Sequence, residues 1–482
     1  MKKILFAASE GNPYIKTGGL ADVVGALPKY LDKEKFDVRV FLPKYLCISE
    51  SYKQNMKYVT EIYAHMPRGS EYIGIYETKV EGIPYYFIDN EHYFAGDNPY
   101  NQIFEDVNKF AFYCRAVLAS LPEIGFCPDI IHCHDWQTSL IPVFLDAFYR
   151  DNHFYRKTKT VLTIHNQKFQ GRWRIDDIEN CRDLPANYRY KDMEAYGETN
   201  FLKAGILHAD RVNAVSENYA IEIQGQEGGE GLDGVMREVS EKLSGIINGI
   251  DVEEYNPRKD KKLTAHFSIK SLAKKQKNKE VLQETLGLKK DSSTMLIGIV
   301  SRMTEQKGFE LLTSIMDEMM NTLNVQIAVL GTGEDRFQDF FQHYDWKYPD
   351  RVSATIGYSE EIAHMIYGGA DVFLMPSQFE PCGLSQLISM RYGTIPIVRE
   401  TGGLKDTVEA YNEIWHTGNG FSFSNYDAGE LLMIIRYAYD IFQNHPKDWK
   451  EIMKRCMNMD HSWKNSAKKY ENLYLELLSA KG

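Results

Sequence analysis

The sequence lacks the long apolar runs that cross a membrane. Its unbroken apolar stretches, such as Ile4 to Ala8, fall far short of the ~20 residues that span a bilayer. The same stretch is also shorter than the apolar core of a signal peptide, which has about 7 to 15 residues. We therefore expect a protein that does not contact the membrane and that acts in the cytoplasm.

Paired cysteines are missing as well. The chain has seven cysteines and no Cys-x-x-Cys pair, and they are scattered at Cys47, Cys114, Cys127, Cys133, Cys181, Cys382 and Cys456. An odd, scattered set argues against a disulfide framework and against a structural zinc site. Free thiols in a reducing compartment fit this pattern best.

The chain also has fewer basic than acidic residues. Lys and Arg total 56 against 67 Asp and Glu, so the formal net charge is −11. A globally acidic protein is a poor candidate for binding nucleic acid through phosphate attraction, although a local basic pocket remains compatible with this balance. With 482 residues, 43% hydrophobic and 26% charged, the chain has an ordinary globular composition and the length of two or three domains.

Short apolar runs alternate with longer segments of helical spacing. In the first half these runs are Ile4 to Ala8, Asp37 to Leu42, Tyr85 to Ile88, Asp129 to His132, Thr160 to Thr163 and Arg211 to Val215. Alternating strands and helices predict a parallel sheet that is covered on both faces, and therefore an α/β fold class. Functional residues should then lie just after strands, at the carboxyl edge of the sheet.

A basic segment separates this half from a second one. Basic residues dominate between Pro257 and Ser292, which is typical of a solvated helix face. Alternation then resumes with Met295 to Val300, Gln326 to Leu330, Val352 to Thr355, Val372 to Met375 and Ile395 to Val398. The pattern predicts a second α/β domain that begins near residue 250 to 290. A terminal amphipathic helix is expected from about Trp463 to Leu478.

A glycine pair follows the first predicted strand. Gly18 and Gly19 allow a tight turn that a ligand can approach closely, and the helix after them presents free N–H groups to a phosphate. Lys16 adds a positive charge at the same edge. Glycine pairs also occur in ordinary strand-to-helix turns. The loop is neither a Walker loop nor a G-x-G-x-x-G fingerprint, so ATPase and nicotinamide-dependent functions are not supported.

Polar residues follow two strands in succession. The segment His132 to Trp136 ends with a carboxylate at Asp135 that can accept hydrogen bonds from sugar hydroxyls, and with an indole that can stack on a sugar ring. The next strand leads to His165 and Asn166. Zinc is the weaker interpretation, because the two histidines of the first segment share a strand face while its cysteine points away.

Two cations and a carboxylate follow strands in the second half. Arg302 and Lys307 lie between a strand and a helix, where they can clamp a diphosphate, although either one alone is also typical of a solvated loop. Glu380 lies in a turn before a helix predicted to begin near Gly383. Cys382 is close to the positive end of that helix, which favours a lowered thiol pKa. It is a weak candidate nucleophile, because no histidine is adjacent to it in the sequence.

Together, these motifs resemble those of bacterial glycogen synthases and plant starch synthases. The motifs are K-T-G-G-L-A-D-V, H-C-H-D-W, T-I-H-N, S-R-x-T-x-Q-K-G and F-E-P-C-G-L-S-Q, which begin at Lys16, His132, Thr163, Ser301 and Phe379. The resemblance runs essentially from end to end. It implies a GT-B fold, in which two Rossmann-like domains face a central cleft and a C-terminal helix crosses back to the first domain. The implied bounds are 1–248 for the acceptor domain, 249–458 for the donor domain and 459–482 for the returning helix.

The resemblance also implies a reaction. A glycogen synthase of this type transfers glucose from ADP-glucose to the non-reducing 4-hydroxyl of an α-1,4-glucan and retains the anomeric configuration. The family is usually described by a front-face route, in which the leaving phosphate helps to deprotonate the acceptor. The resemblance therefore implies no side-chain nucleophile, no metal and no cofactor beyond the substrate ADP-glucose.

The resemblance also implies roles for the residues of this chain that match the family's motifs. The implied catalytic group is His165 beneath the transferred glucose, Arg302 and Lys307 at the departing phosphate, and Glu380 at the sugar hydroxyls. The implied donor-binding residues are Lys16, Gly18, Gly19, Asp22, Cys382, Gly383, Leu384 and Ser385. The implied contacts to the sugar or acceptor are Asp135, Asn166 and Asn248.

The chain departs from the family pattern in places, and other functions remain open. Gln167 to Gly171 replaces a stretch that is more often similar to Leu-Ala-Tyr, and Ser385 stands where the family often has Thr. The main alternative is a transferase of the same fold that uses a UDP-sugar to make sucrose, a glycolipid or another glycan. A glucan phosphorylase would need a pyridoxal-phosphate lysine and a much longer chain. A non-catalytic glucan-binding protein would not need charge at a leaving diphosphate. The oligomeric state stays open.

Overall fold

The computed structural model describes residues 1–480. By its internal contacts, the chain forms two compact units. The first comprises Met1–Ile246 and the chain from Trp463 onward, and the second comprises Ile247–Ser462. Each unit has helices around a mainly parallel sheet. The α/β class predicted from the alternating pattern is therefore confirmed.

The first unit is built around a large sheet. Its strands are β1 (Lys2–Ala7), β2 (Phe36–Pro43), β3 (Lys57–Met66), β4 (Gly69–Val80), β5 (Ile83–Asp89), β6 (Ile130–His134), β7 (Lys159–Ile164), β8 (Arg172–Trp173), β9 (Glu194–Ala195), β10 (Glu198–Asn200), β11 (Arg211–Ala214) and β12 (Leu243–Gly245). Within residues 1–480, nine of them form one sheet in the order β12-β11-β7-β6-β1-β2-β5-β4-β3. Strands β8, β10 and β9 form a small separate sheet. Only the edge formed by β5, β4 and β3 is antiparallel within the large sheet.

Helices alternate with the strands of the first unit along the chain. They are α1 (Gly19–Tyr30), α2 (Glu50–Lys53), α3 (Glu91–Phe94), α4 (Ile103–Glu123), α5 (Leu140–Phe144), α6 (Phe201–His208), α7 (Glu217–Glu222) and α8 (Asp233–Glu238). The longest of them, α4, is buried along most of its length, in agreement with the helical spacing of its apolar residues.

The second unit contains a fully parallel sheet. Its strands are β13 (Met295–Val300), β14 (Val325–Gly331), β15 (Val352–Ile356), β16 (Val372–Met375), β17 (Ile395–Arg399) and β18 (Phe421–Phe423), in the order β15-β14-β13-β16-β17-β18. Its helices are α9 (Lys275–Thr285), α10 (Phe309–Thr322), α11 (Asp335–Lys347), α12 (Glu360–Gly369), α13 (Ser385–Arg391), α14 (Gly402–Thr407), α15 (Ala428–Asn444) and α16 (Pro446–Asn458). Strands β13, β14 and β16 are apolar and almost entirely buried, as expected when helices cover both faces of a sheet.

Within residues 1–480, each of the two large sheets has a point where the strand order reverses. In the first unit β1 lies between β2 and β6, and in the second unit β13 lies between β14 and β16. The connections that leave such neighbouring strands run in opposite directions and open a crevice at the carboxyl edge. A ligand site is therefore expected after β1 and β6, and another after β13 and β16.

The last helix, α17 (Trp463–Ser479), packs within the first unit. Tyr474 OH lies 2.7 Å from His132 Nδ1 on β6, and Asn213 Nδ2 on β11 donates to Tyr470 OH at 3.0 Å. Both tyrosines are fully buried. A polar network inside the core therefore fixes the register of this helix, in addition to its apolar face.

The basic segment is not solvated throughout. Lys275 and Lys279 on α9 are only 5% and 1% exposed. Lys279 Nζ lies 2.7 Å from Asp371, and Lys275 Nζ donates to Gly368 O at 2.9 Å and to Thr394 Oγ1 at 2.7 Å. Burial lowers the pKa of Lys275 to about 7. The expectation of a solvated face is wrong for these two lysines, which attach α9 to the second unit.

The sequence predicts a chain without a membrane-spanning run and with unpaired cysteines. Among residues 1–480, no helix is both long and apolar enough to span a bilayer. All seven cysteines lie within the described residues and are free thiols.

Candidate functional site

In the second unit, the cation predicted after β13 meets the carboxylate predicted after β16. Lys307 Nζ lies 2.6 Å from Glu380 Oε2, and Ser377 Oγ donates to the same oxygen at 3.0 Å. Glu380 is 6% exposed. Because β13 and β16 are neighbours, their loops converge at the point where the strand order reverses. The ion pair therefore marks the carboxyl-edge crevice of the second sheet.

Two glycines allow this close approach of loops. Gly308 has φ +73°, and a Cβ there would lie 1.9 Å from the carbonyl oxygen of Pro376. Gly402 has φ +46°, and its Cβ would lie 2.0 Å from the carbonyl oxygen of Glu380. The N–H of Gly403 then donates to that carbonyl at 3.1 Å. Neighbouring loops thus hold the backbone of the Glu380 turn in place.

Arg302 presents a free charge. It follows β13 by two residues and is exposed. Within residues 1–480, its guanidinium has no hydrogen-bond or ionic partner. An exposed guanidinium without a partner keeps all of its N–H donors available to an anion, and phosphate is an anion that it recognises well.

Cys382 does not have the properties of a nucleophile. Burial raises the pKa of its thiol to about 12, which outweighs the opposite effect of hydrogen bonds from Asn248. The expectation of a lowered thiol pKa is therefore wrong, because desolvation of the thiolate dominates in a buried position. Asn248, predicted on the acceptor side, belongs to the second unit and is 4% exposed beside Cys382.

The residues after Cys382 are partly accessible. Gly383, Leu384 and Ser385 are half-buried and lead into α13, which begins at Ser385. Tyr367 OH donates to Ser385 Oγ at 3.1 Å. Gly383 has φ +72°, which favours glycine. This turn thus keeps some exposure three to five residues after Glu380.

In the first unit, the glycine loop leads directly into α1. Lys16 Nζ lies 2.6 Å from Asp22 Oδ1, and about half of the Lys16 side chain is exposed. Burial raises the pKa of Asp22, whereas the charge of Lys16 lowers it. A Cβ at Gly18 or Gly19 would meet no atom within 4 Å. The space beside the glycine pair is therefore open, as a close approach by a ligand would require.

The polar residues after β6 and β7 are brought together. Asp135 Oδ1 accepts the backbone N–H of His165 at 2.6 Å and that of Asn166 at 3.4 Å. Asp135 is 9% exposed and has φ +55°, and burial raises its pKa to about 7. One carboxylate thus orients the start of the neighbouring loop, at a backbone conformation that a non-glycine residue rarely adopts.

His165 lies at this edge as a neutral side chain. Its Nε2 is 3.0 Å from His134 Nδ1. Burial lowers the pKa of His165 to about 3 and that of His134 well below its usual value. His165 is therefore suited to hydrogen bonding with a polar ligand and not to pairing with an anion as a cation.

Trp136 does not offer a stacking surface. It is 5% exposed and packs edge-on against Phe110 at a ring distance of 5.2 Å. Gly171 lies so close that a Cβ would come within 2.3 Å of the indole. The prediction that this indole stacks on a sugar ring is wrong, because the ring completes the core behind the site.

Sequence reasoning missed two residues at these edges. Glu10 follows β1 and is 3% exposed, and Tyr358 follows β15 and is 87% exposed. An exposed tyrosine at the carboxyl edge offers its ring face to a flat ligand. Glu10 could have been found by the rule that selected Asp135, namely that a polar residue soon after a buried strand lies at the ligand edge. Tyr358 follows a strand that is mostly half-buried, so this rule selects it less clearly.

One group of metal-ligating side chains lies elsewhere in the second unit. Glu254, Glu360 and His364 place their ligand atoms within 4.8 Å of one another. Lys262 bonds to the Glu360 carboxylate and lies 3.4 Å from His364 Nε2, while His364 Nδ1 lies 2.8 Å from Asp260. A lysine ammonium thus already offsets part of the negative charge of this group.

Comparison with known proteins identifies the family. The family model of the starch synthase catalytic domain matches residues 3–238, and that of glycosyl transferases group 1 matches residues 280–455. A glycogen synthase of Lachnospira eligens is 54% identical over 479 residues, which cover 99% of this chain and 100% of that protein. The chain belongs to the glycogen synthase and starch synthase family. It is a glycosyltransferase.

Solved structures agree with this family. The catalytic domain of starch synthase IV from Arabidopsis thaliana, bound to ADP and acarbose, matches with a TM-score of 0.91 and 32% identity over 99% of this chain and 100% of that one. Sucrose-phosphate synthase from Thermosynechococcus elongatus matches over the full length of both chains with a TM-score of 0.62 and 18% identity, which shows the fold alone. The GT-B fold, the family and the glycosyltransferase class predicted from the motifs are confirmed.

Proposed function

We propose that this glycogen synthase relative transfers glucose from ADP-glucose to the non-reducing 4-hydroxyl of an α-1,4-glucan, with retention of configuration. The observation that carries the proposal is the Lys307–Glu380 pair, 2.6 Å apart at the crevice of the second sheet, with the unpaired Arg302 on the same loop. Such an arrangement suits a reaction in which a diphosphate leaves a sugar. The second unit accordingly takes the donor role, and the first takes the acceptor role.

Each of the three charged groups has a distinct task in this proposal. Arg302 and Lys307 stabilise the negative charge that develops on the departing phosphate of ADP. Lys307 and Ser377 engage only one oxygen of Glu380, and within residues 1–480 the other oxygen, Oε1, has no partner. That oxygen is therefore available to accept hydrogen bonds from glucose hydroxyls, and the ion pair fixes its position.

The remaining donor contacts are proposed for partly exposed loops. In the second unit the backbone of Gly383, Leu384 and Ser385 binds the distal phosphate, and the buried Cys382 shapes the turn that holds it. Tyr358 offers its exposed ring to the base of the nucleotide. In the first unit the proposed donor contacts are Lys16, Gly18, Gly19 and Asp22.

The sugar and acceptor contacts are proposed mainly for the ends of β6 and β7. His165 binds the transferred glucose as a neutral hydrogen-bonding group, in agreement with a pKa of about 3. Asp135 and Asn166 orient the sugar or the acceptor, and Asp135 also holds the backbone of the His165 loop. Asn248 contributes a polar contact from the second unit.

No side chain acts as a nucleophile in this proposal. Glu380 is engaged by Lys307, and Asp135 already accepts two backbone N–H groups. The acceptor 4-hydroxyl attacks the anomeric carbon as the bond to the ADP phosphate breaks, and the hydroxyl proton passes to the leaving phosphate oxygen. The products are a glucan that is longer by one glucose, and ADP. We place this reaction in the cytoplasm, and the free cysteines support a reducing compartment.

The decisive experiment measures label in the polymer. Purified enzyme is incubated with glycogen and with radiolabelled ADP-glucose or UDP-glucose, and the polymer is collected and counted. We expect incorporation from ADP-glucose and much less from UDP-glucose. A preference for UDP-glucose would overturn the donor assignment, and no incorporation from either donor would overturn the proposed function.

A further inference from the structure

A buried carboxylate lies behind the glycine loop of the first unit, and the proposed reaction gives it no role. Glu10 follows β1 and is 3% exposed. Thr17 donates both its backbone N–H and its hydroxyl to Glu10 Oε2, the hydroxyl at 2.9 Å. The backbone N–H of Gly18 also bonds to this carboxylate, and Tyr100 OH donates to Oε1 at 3.3 Å.

All of these groups are donors, so together they stabilise the ionised carboxylate. Burial raises the pKa of Glu10 above its usual value, and the hydrogen bonds from Thr17, Tyr100 and Gly18 offset only part of this rise. A buried carboxylate without such partners would carry the full cost of its desolvation. Glu10 and the loop therefore depend on each other: the loop supplies the donors, and the carboxylate supplies the charge that orders them.

The direction of these N–H groups changes how the loop can bind a ligand. Because the amides of Thr17 and Gly18 point towards Glu10, an external phosphate cannot bond to these N–H groups in this conformation. Gly18 can therefore meet a ligand only through the open side of its Cα. The loop leaves the ammonium of Lys16 and the start of α1 at Gly19 on its outer side, where the space is open. The Glu10 carboxylate thus occupies the inner side of the turn, and the outer side stays open to the substrate.

We infer that Glu10 is a positioning residue for the nucleotide diphosphate: by accepting the inner donors of the Lys16–Gly19 loop, it holds Lys16 and Gly19 towards the ligand. Glu10 itself does not touch the substrate. The inference relies on the proposed function for the identity of the ligand, but the ordering of the loop by Glu10 does not depend on that function.

The ordering of the loop is tested without ligand. Glu10→Gln keeps the size of the side chain but removes its charge and points an NH2 donor at other donors. Hydrogen exchange of a peptide that covers Tyr14 to Leu20 should be faster in this variant than in the wild type, while peptides of the second unit exchange unchanged. Glu34→Gln, the same change at an exposed glutamate of the first unit, should exchange as the wild type. Unchanged exchange in Glu10→Gln would overturn the inference.

The effect on the substrate is tested by kinetics. In Glu10→Gln, kcat/KM for ADP-glucose should fall about 10- to 100-fold, because a small displacement of positioning groups has effects of this size. KM for the glucan should stay as in the wild type. Thr17→Val loses the hydroxyl bond to Glu10 but keeps the backbone N–H, so its kcat/KM for ADP-glucose should fall less. In the double variant the two losses should not add, because both changes act through the same contact. Faster loop exchange with unchanged donor kinetics would overturn the positioning role.

The wild-type enzyme separates this inference from the proposed function. If the wild type incorporates glucose and Glu10→Gln is indistinguishable from it, only the inference fails. If the wild type incorporates no glucose from either donor, the proposed function fails. In that case calorimetry with ADP tests the inference, which requires weaker ADP binding by Glu10→Gln than by the wild type. Equal ADP binding would overturn it.

Discussion

Lys307 Nζ and Glu380 Oε2 lie 2.6 Å apart, although the two residues leave different strands of the same parallel sheet. Only 16% of the Lys307 side chain and 8% of the Glu380 side chain are exposed. A pair that is this well shielded from solvent depends strongly on both partners, because either charge alone would be buried without compensation.

Loss of Lys307 should therefore affect both stability and turnover. Lys307→Met leaves Glu380 without its counter-charge, and we expect a loss of about 3–5 kcal/mol in the free energy of unfolding. Glucose incorporation should fall about 100-fold or more, because a charge at the leaving phosphate is lost. The double variant Lys307→Met/Glu380→Gln removes both charges and should recover much of the stability but none of the activity. Recovery of activity in the double variant would contradict a role for Lys307 at the phosphate.

Arg302 should affect turnover alone. Because its guanidinium is exposed and has no partner within residues 1–480, Arg302→Ala should change the free energy of unfolding by less than about 0.5 kcal/mol. The kcat for glucose transfer should fall about 100- to 1,000-fold. Arg436→Ala is the matched control, since Arg436 is an arginine on α15 paired with Glu318, and it should keep wild-type activity. Chemical unfolding and the incorporation assay check the two effects, and near-normal turnover in Arg302→Ala would remove it from the site.

The glycine at position 308 should be required for the site. Gly308→Ala combines an unfavourable φ of +73° with a Cβ that would lie 1.9 Å from the carbonyl oxygen of Pro376. Gly287→Ala has nearly the same φ, +71°, but its Cβ would meet no atom within 4 Å. The control should cost about 1–2 kcal/mol from the backbone conformation alone, and Gly308→Ala should cost clearly more and also lower activity. Equal unfolding energies for the two variants would contradict the close packing of these loops.

Asp135 should make stability depend on pH. Burial raises its pKa from 3.8 to about 7, so the folded state binds the proton more tightly than the unfolded state. The stabilisation is complete below about pH 4 and is lost as the pH rises through about 7, at up to about 1.4 kcal/mol per pH unit. Asp135→Asn lacks this contribution.

The difference between wild type and variant isolates this effect. Burial lowers the pKa of His165 and of His132 to about 3, and these groups act in the opposite sense, since stability rises with pH up to about 6.5. They are present in both proteins and cancel. From pH 5 to 7, the free energy of unfolding of the wild type should fall relative to that of Asp135→Asn. A difference that is independent of pH would show that Asp135 ionises normally.

Cys382 should resist alkylation in the folded enzyme. Its thiol is buried and its pKa is raised to about 12, so almost no thiolate forms at pH 8. Cys127 is exposed and should react first. Mass spectrometry after brief treatment with iodoacetamide should find label at Cys127 and none at Cys382. Label at Cys382 in native protein would contradict its burial.

The positions of several candidate site residues could be predicted, because parallel sheets place strand ends at one edge. That rule located Asp135, His165, Arg302 and Glu380, and the structure brings Asp135 to His165 and Lys307 to Glu380. Which residue would pair with which could not be read from the sequence, since it depends on the strand order. The same rule, applied to the first strand, would have included Glu10.

Other features depend on three-dimensional burial and could not be predicted. Lys275 and Lys279 belong to a strongly basic segment, yet they are buried because carbonyl groups and Asp371 happen to surround them. The pKa of Cys382 follows from its desolvation, which its position near a predicted helix start does not reveal. Strands β3 and β4 were not predicted, because neither contains a long unbroken apolar run. Strand β3 lies at the edge of the sheet and is largely exposed.

Helix α17 has a consequence for how the protein is made. Tyr470 and Tyr474 complete hydrogen bonds to Asn213 and His132 in the core of the first unit, but the ribosome synthesises them after the whole of the second unit. Until α17 leaves the ribosome, His132 and Asn213 lack these partners. The unit that is made first is thus the one that finishes folding last, and the second unit, which is continuous in sequence, can fold while synthesis continues.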